Sequence, residues 1–372
     1  MHLFSALGHP KNIFGDFVFA DTSEDIEGSG NFTHLVGRQE IFAGYHTIIS
    51  RLRIKAIPRF VAFFFDSVGF RNQIRREIQD VKVFSITNKI LKDTILFFPE
   101  FEEQLAIANY LDDQTQKIDR LIANKKAQAE KLKELRQIEI NNTVTKGLNP
   151  NVEMKDSGIE WLGKIPKHWK VNRLKNTTFI NQSVISEKTA PDYLIKYIDI
   201  SNVNSMGEFI ELQEMEFSEA PSRARRIPKH NSILLSTVRT YLRAIALVQN
   251  PDENLIASTG FAVIDANQNL FDASYLYFQL ISHILVERVI ANSEGVSYPA
   301  ISSTKLGDIK IVIPPKKEQT EIASYLQKRT IAIDQLIKNI EAQIEKLQEL
   351  RKIKIYEAVT GKIKVNGYES IN

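Results

Sequence analysis

The side chains whose placement in this chain could do chemistry are its arginines. Between Ala220 and Pro251 there is no acidic residue, while Arg223, Arg225, Arg226, Lys229, Arg239 and Arg243 all fall there. A second acid-free run, between Ile41 and Phe65, holds Arg51, Arg53, Lys55 and Arg59. A planar guanidinium fork matches a phosphate, or the O6/N7 edge of guanine, with two parallel hydrogen bonds. Two such runs in different halves of one chain suit a polyanion gripped at two places. For either run alone, a solvated basic face is the competing explanation.

Bond-making chemistry finds no equipment. There is no Asn-Pro-Pro-aromatic motif of an amino-methyltransferase, no glycine-rich loop following a strand, and Gly361-Lys362 lacks the upstream glycine of a phosphate loop. Pro191-Asp192 and Pro251-Asp252 are not followed at suitable distance by the acidic-x-Lys of a nuclease. The histidines, His2, His9, His34, His46, His168, His230 and His283, show no close ligand spacing, and without cysteine there is neither a thiolate metal site nor a disulfide framework. The expectation is a binding protein with no catalytic residue, no metal and no cofactor. The net charge of +3 is too small to decide a partner by itself. No apolar run approaches the roughly 20 residues of a membrane span, and the start, MHLFSALGHPKN, lacks a basic head followed by an apolar core. A cytoplasmic protein with no membrane partner is expected.

The elements that must position the arginines are organised by a repeat. Residues 99–147 recur without a gap at 314–362, and 25 of the 49 paired positions are identical. Each copy opens with a proline, Pro99 or Pro314, ahead of polar residues that suit a helix start. The pattern predicts a short helix over 101–112, again over 316–327, and then a long one. Ile118, Leu121, Leu132 and Leu135 in the first copy, and Ile333, Leu336, Leu347 and Leu350 in the second, recur at helical spacing as a narrow apolar seam. A helix over 115–143 would be roughly 43 Å long, and such a seam is stable only against a partner. The economical partner is the other copy, packed antiparallel about a pseudo-two-fold axis, with 115–143 along 330–358. The alternative is that each long helix packs on its own domain.

The segments between read as mixed α/β heads. Ser232 through Ser236, Ile245 through Val248 and Ile256 through Ile264 suggest strands, and Tyr275 through Ile290 an amphipathic helix. The first half offers a weaker version, with Phe17 through Ala20, Ile41 through Ser50 and Phe60 through Ile78 in the same order. Ile86, Leu91 and Asp93 match Ile301, Leu306 and Asp308 at the repeat offset. The fold expected is therefore α/β (α+β), with two divergent heads separated by paired long antiparallel helices as a coiled coil. The segments are 1–98, a first head; 99–148, a central helical spacer; 149–313, a second head; and 314–372, a second spacer.

At this point the chain resembles the specificity subunit of Type I restriction-modification enzymes. The resemblance rests on 157–175 (SGIEWLGKIPKHWKVNRLK), with Trp161, Leu162, Gly163, Pro166 and Trp169, and on the helix entry at 313–326, echoed at 98–111. It implies a protein without catalysis of its own, whose two target-recognition domains each read half of a split double-stranded DNA sequence. It also implies that the helices set the gap and dock modification (methyltransferase) subunits and a restriction (endonuclease/translocase) subunit. A roughly 43 Å spacer is of the order of one DNA turn, about 34 Å. A scaffold that only assembles proteins through its helices is the competing possibility. One departure stands out: 144 residues separate Trp169 from Pro314, only 98 precede Pro99, and no WLGxxPxxW segment lies among them. The expectation is a first recognition domain lacking its opening strands, with Phe60, Phe63, Phe64 and Phe65 short of neighbours to bury against.

Overall fold

The computed structural model describes residues 15–37, 42–78, 83–204 and 206–365. The repeated segments form two long helices, α4 (Phe101–Lys146) and α8 (Lys316–Val359), each ended by a glycine in the left-handed region, Gly147 and Gly361. The division into a short and a long helix does not occur. No glycine or proline interrupts either run, and where the first break was expected Thr115 Oγ1 donates back to the Leu111 carbonyl at 2.6 Å, a bond that leaves the helical ladder intact.

The chain divides into two compact units, 1–129 with 338–372, and 130–337. In the first unit three antiparallel strands are ordered Phe32–His34, Phe17–Ala20, Thr47–Ser50, followed by α1 (Pro58–Asp66), α2 (Val68–Glu77) and α3 (Asn88–Asp93). Phe60, Phe63, Phe64 and Phe65 are all buried, against the expectation that they would lack neighbours. The reason is aromatic: Phe65 meets Phe17, Phe19, Phe32 and Phe70 with ring centroids 4.6–5.6 Å apart, so the rings fill one another's surroundings.

In the second unit one four-stranded sheet runs Ile245–Leu247, Ile233–Ser236, Phe261–Ala266, Thr178–Ile180, and another Gln213–Glu216, Leu194–Ile198, Leu255–Ser258, Ala224–Arg226. The helices α5 (Ala273–Leu280), α6 (His283–Ala291) and α7 (Ser303–Asp308) complete it. Ile256 through Ile264 is two strands in different sheets, turned at Thr259-Gly260. Tyr275 through Ile290 is likewise two helices, because Ser282 folds back, donating from Oγ to the Gln279 carbonyl at 2.6 Å. Ser67 does the same to Phe64 between α1 and α2, also at 2.6 Å. Ser67 and Ser282 are counterparts at the repeat offset, so the breaks that periodicity alone hid are shared by both heads.

A second shared device seats each head on its helix. Gln104 accepts from the Ile57 amide at 2.9 Å and donates to the Pro99 carbonyl; Gln319 accepts from the Asp272 amide at 2.8 Å and donates to the Pro314 carbonyl. Each thereby supplies a partner to an unsatisfied amide just ahead of α1 or α5.

Within each unit the α4 and α8 segments run antiparallel. In the second, Arg136 meets Asp334 and Glu139 meets Arg329; in the first, Asp119 meets Arg351 and Tyr110 meets Lys354. The seam is narrower than expected. Ile118 and Ile333 are buried and Leu132 and Leu347 half-buried, but Leu121, Leu135, Leu336 and Leu350 are exposed. Ala129 in the first unit and Ile337 in the second are buried.

Candidate nucleic-acid interface

The arginines of the second acid-free run do not form one patch in the fold. Arg225 and Arg226 lie on the edge strand Ala224–Arg226 of the second sheet, with Arg223 just before it. Arg239 and Arg243 lie in the loop joining Ile233–Ser236 to Ile245–Leu247 in the first sheet.

Their surroundings separate them further. Arg223 donates from Nε to the Tyr197 hydroxyl at 3.1 Å and pairs with Asp199; the hydroxyl bond, then the carboxylate charge, raise its pKa above the ordinary value. Arg225 lays its guanidinium on the Phe217 ring, 5.4 Å from the centroid. Arg226 is half-buried with its Nε enclosed and unbonded, and burial lowers its pKa. Arg51 has a structural occupation: it grips the buried Asp16 with two hydrogen bonds of 2.6 Å. Arg53 is exposed.

The loop Thr237–Arg243 is held from below and from the side. Ile301 donates to the Thr237 carbonyl and Arg239 donates its amide to the Pro299 carbonyl, both at 2.8 Å. These bonds tie the loop to the tip 294–300, itself pinched by reciprocal bonds between Glu294 and Ala300 of 2.8 and 2.9 Å. Arg239 and Arg243 both sit in the left-handed backbone region, φ 51° and 55°, flanking the single turn Thr240–Leu242. For non-glycine residues that costs of order 1–3 kcal/mol each and persists only where surrounding structure imposes it. The Arg239 guanidinium lies 4.6 Å from the Tyr298 ring centroid. Arg243 pairs with Glu287 at 2.6 Å. Tyr241, Leu242, Val296 and Tyr298 stand exposed around these arginines, Val296 completely. Sequence reasoning missed these four; the only signal was an aromatic beside glycine and proline in Gly295 through Pro299.

The corresponding loop of the first head has the opposite charge. Between strands Phe17–Ala20 and Phe32–His34 run Asp21, Glu24, Asp25 and Glu27, with no lysine or arginine.

Trp169 is fully buried and donates its Nε1 to Glu318 at 2.9 Å, while His168 meets the other carboxylate oxygen at 2.7 Å. The WLG-type segment is thus fastened to the start of α8. The exposed apolar residues of the long helices come in repeat-related pairs: Leu121 and Leu336 at 49% and 51%, Leu135 and Leu350 at 40% and 41%, Ile138 and Ile353 at 47% and 43%. Among the described residues no group of His, Asp and Glu could hold a metal ion, and no helix is long and apolar enough to cross a membrane.

Known proteins carry the same pattern. Residues 166–346 match the Type I restriction modification DNA specificity domain. A putative Type I restriction enzyme MjaX specificity subunit from Methanocaldococcus jannaschii is 25% identical over 366 residues, 95% of this chain and 79% of that protein. The MjaVIII specificity subunit of the same organism is 24% identical over 339 residues, 88% of this chain and 76% of that one. A solved structure described as the structural basis underlying complex assembly and conformational transition of the type I R-M system superposes with a TM-score of 0.69 at 16% identity, covering 94% of this chain and 83% of that one. That likeness is one of fold.

Proposed function

We infer that this chain is the non-catalytic specificity subunit of a Type I restriction-modification complex, working in the cytoplasm. It recognises double-stranded DNA and assembles with modification and restriction subunits, which carry the chemistry. The observation that supports DNA recognition most directly is the loop Thr237–Arg243, where two arginines are held in a strained backbone amid exposed aromatic and apolar side chains. Strain of this kind clusters at binding sites, and arginine beside aromatic surface suits nucleic acid. Assembly is supported by the exposed Leu121 and Leu350 of the first unit and the exposed Leu135 and Leu336 of the second, whose exposure suits docking better than an internal seam.

The segments 1–98 and 149–313 serve as the two target-recognition domains, and 99–148 and 314–372 as helical spacers. In the first domain Arg53 faces solvent while Arg51 holds Asp16, so Arg53 is the better candidate for contact. The second domain carries Arg223, Arg225, Arg226, Arg239 and Arg243. The test is binding of duplex DNA by the purified full chain, alone and with its modification subunits. Affinity should fall steeply with salt as counterions are released. Complex formation with protein but no salt-dependent DNA binding would leave only the scaffold reading.

A further inference from the structure

We propose that Arg239 is a base-reading residue of the second recognition domain and that Tyr298 is its positioning residue, presenting the guanidinium to guanine. This rests on the DNA-recognition reading above and adds which side chain discriminates and how it is aimed.

The two residues come from separate segments fastened to each other. The Arg239 amide donates to the Pro299 carbonyl at 2.8 Å, and Val238 pairs with Ala300 in an isolated antiparallel bridge, so the tip carrying Tyr298 cannot drift from the loop carrying Arg239. Across that junction the guanidinium lies over the Tyr298 ring at 4.6 Å. Cation–π stacking holds the planar group flat on the ring while leaving its N–H edge free to donate. Bidentate donation to guanine O6 and N7 needs that freedom and a fixed plane.

The other arginines are placed differently. Arg223 is engaged by Tyr197 and Asp199, Arg243 by Glu287, and Arg226 has its Nε enclosed. Arg225 also stacks, but at 5.4 Å on Phe217 and from an edge strand rather than a projecting loop. Arg239 alone among these combines an exposed side chain with a ring beneath it on a segment that also carries the completely exposed Val296. A phosphate contact needs charge but no such aiming, and the left-handed backbone would be an unnecessary cost for it.

The probe is a library of DNA duplexes with a randomised core, selected by the purified full chain and sequenced, with wild type, R239G, Y298A and Y298F compared. Glycine at 239 keeps the left-handed backbone without strain, and phenylalanine at 298 keeps the ring. Wild type should enrich a guanine at one fixed position of the half-site. R239G and Y298A should lose preference there, by roughly 5- to 150-fold, with other positions retained, and Y298F should keep it. Uniformly weaker binding of R239G with every preference intact, and a salt slope lower by about one, would make Arg239 a phosphate contact and overturn the proposal. Loss of preference in R239G but not in Y298A would overturn the role of Tyr298. If wild type enriches no sequence, the recognition reading itself fails.

Discussion

Arg136 and Asp334 approach to 2.8 Å between Nε and Oδ1 within the second unit, and their repeat counterparts Arg351 and Asp119 approach to 3.1 Å within the first. The first contact is poorly aligned, so that one bond, Nη2 to Oδ2 at 3.3 Å, carries it. Arg351 also reaches Asp66 at 3.0 Å. Each arginine thus ties α4 to α8, and a shift of either helix by one residue would undo both pairs.

The Arg136 and Asp334 side chains are mostly buried, so removing one strands the other. Arg136→Ala or Asp334→Ala should destabilise the chain by about 1–3 kcal/mol, with the double variant costing less than the sum of the two. The exchanged pair R136D/D334R should recover part of the loss. Urea unfolding of the four proteins measures the coupling; strict additivity would show that the contact contributes nothing.

Burial along the helices sorts their leucines and isoleucines. Ile118→Ala and Ile333→Ala should each cost about 2–5 kcal/mol. Leu132→Ala and Leu347→Ala, half-buried, should cost less. Leu121→Ala, Leu135→Ala, Leu336→Ala and Leu350→Ala should change stability by about 0.5 kcal/mol or less, yet weaken co-purification with the modification subunits. Unimpaired assembly with several of these replaced by serine would remove the docking role.

In the first unit Phe65 meets the rings of Phe17, Phe19, Phe32 and Phe70 among the described residues, so Phe65→Ala should cost about 3–5 kcal/mol. Hydrogen exchange should report the loss as reduced protection at Phe17–Ala20 and α1. Wild-type protection in this unit should be that of a filled core, and fast exchange at Phe17–Ala20 would contradict it.

Arg225 is predicted to touch phosphate. Arg225→Ala should weaken binding evenly across sequences and lower the salt slope by about one. Arg226→Ala should leave the slope nearly unchanged and alter the edge strand instead, since its guanidinium is partly enclosed. Slopes from titrations at several salt concentrations separate the two.

Asp308 is held below the usual carboxylate range, chiefly by its hydrogen bond from Lys175 with Arg173 adding charge. A depressed carboxyl stabilises the fold above its unfolded pKa and ceases to do so as pH falls through the folded one. The stability difference between wild type and Asp308→Asn should therefore be present near neutrality and vanish in the acid range, which unfolding across pH would reveal.

The long helices and the doubling of the heads are legible in the sequence because both depend on local periodicity and on an offset that never varies. The strands Ile233–Ser236 and Ile245–Leu247 are equally visible as short branched runs between turn residues. What stayed hidden depends on distant parts of the chain. Ser67 and Ser282 break helices by side-chain bonds that leave no gap in the apolar pattern. Leu121 and Leu336 have the spacing of core residues, and only the narrowness of the helix contact leaves them outside. Arg51 and Arg53 look alike in the chain, and Asp16 alone distinguishes them. Tyr298 gained its interest only when folding set it beneath an arginine 59 positions earlier.

The acidic loop Asp21 to Glu27 occupies the place in the first head that Arg239 and Arg243 occupy in the second. Under the proposed DNA-binding role, rising ionic strength would weaken attraction at the arginine loop and screen repulsion at the acidic loop as well. Low salt would therefore favour attachment by the second head alone, and higher salt would even out the contributions of the two. The salt chosen for a binding assay would then alter which half of the target dominates the measured sequence preference, besides setting the strength of binding.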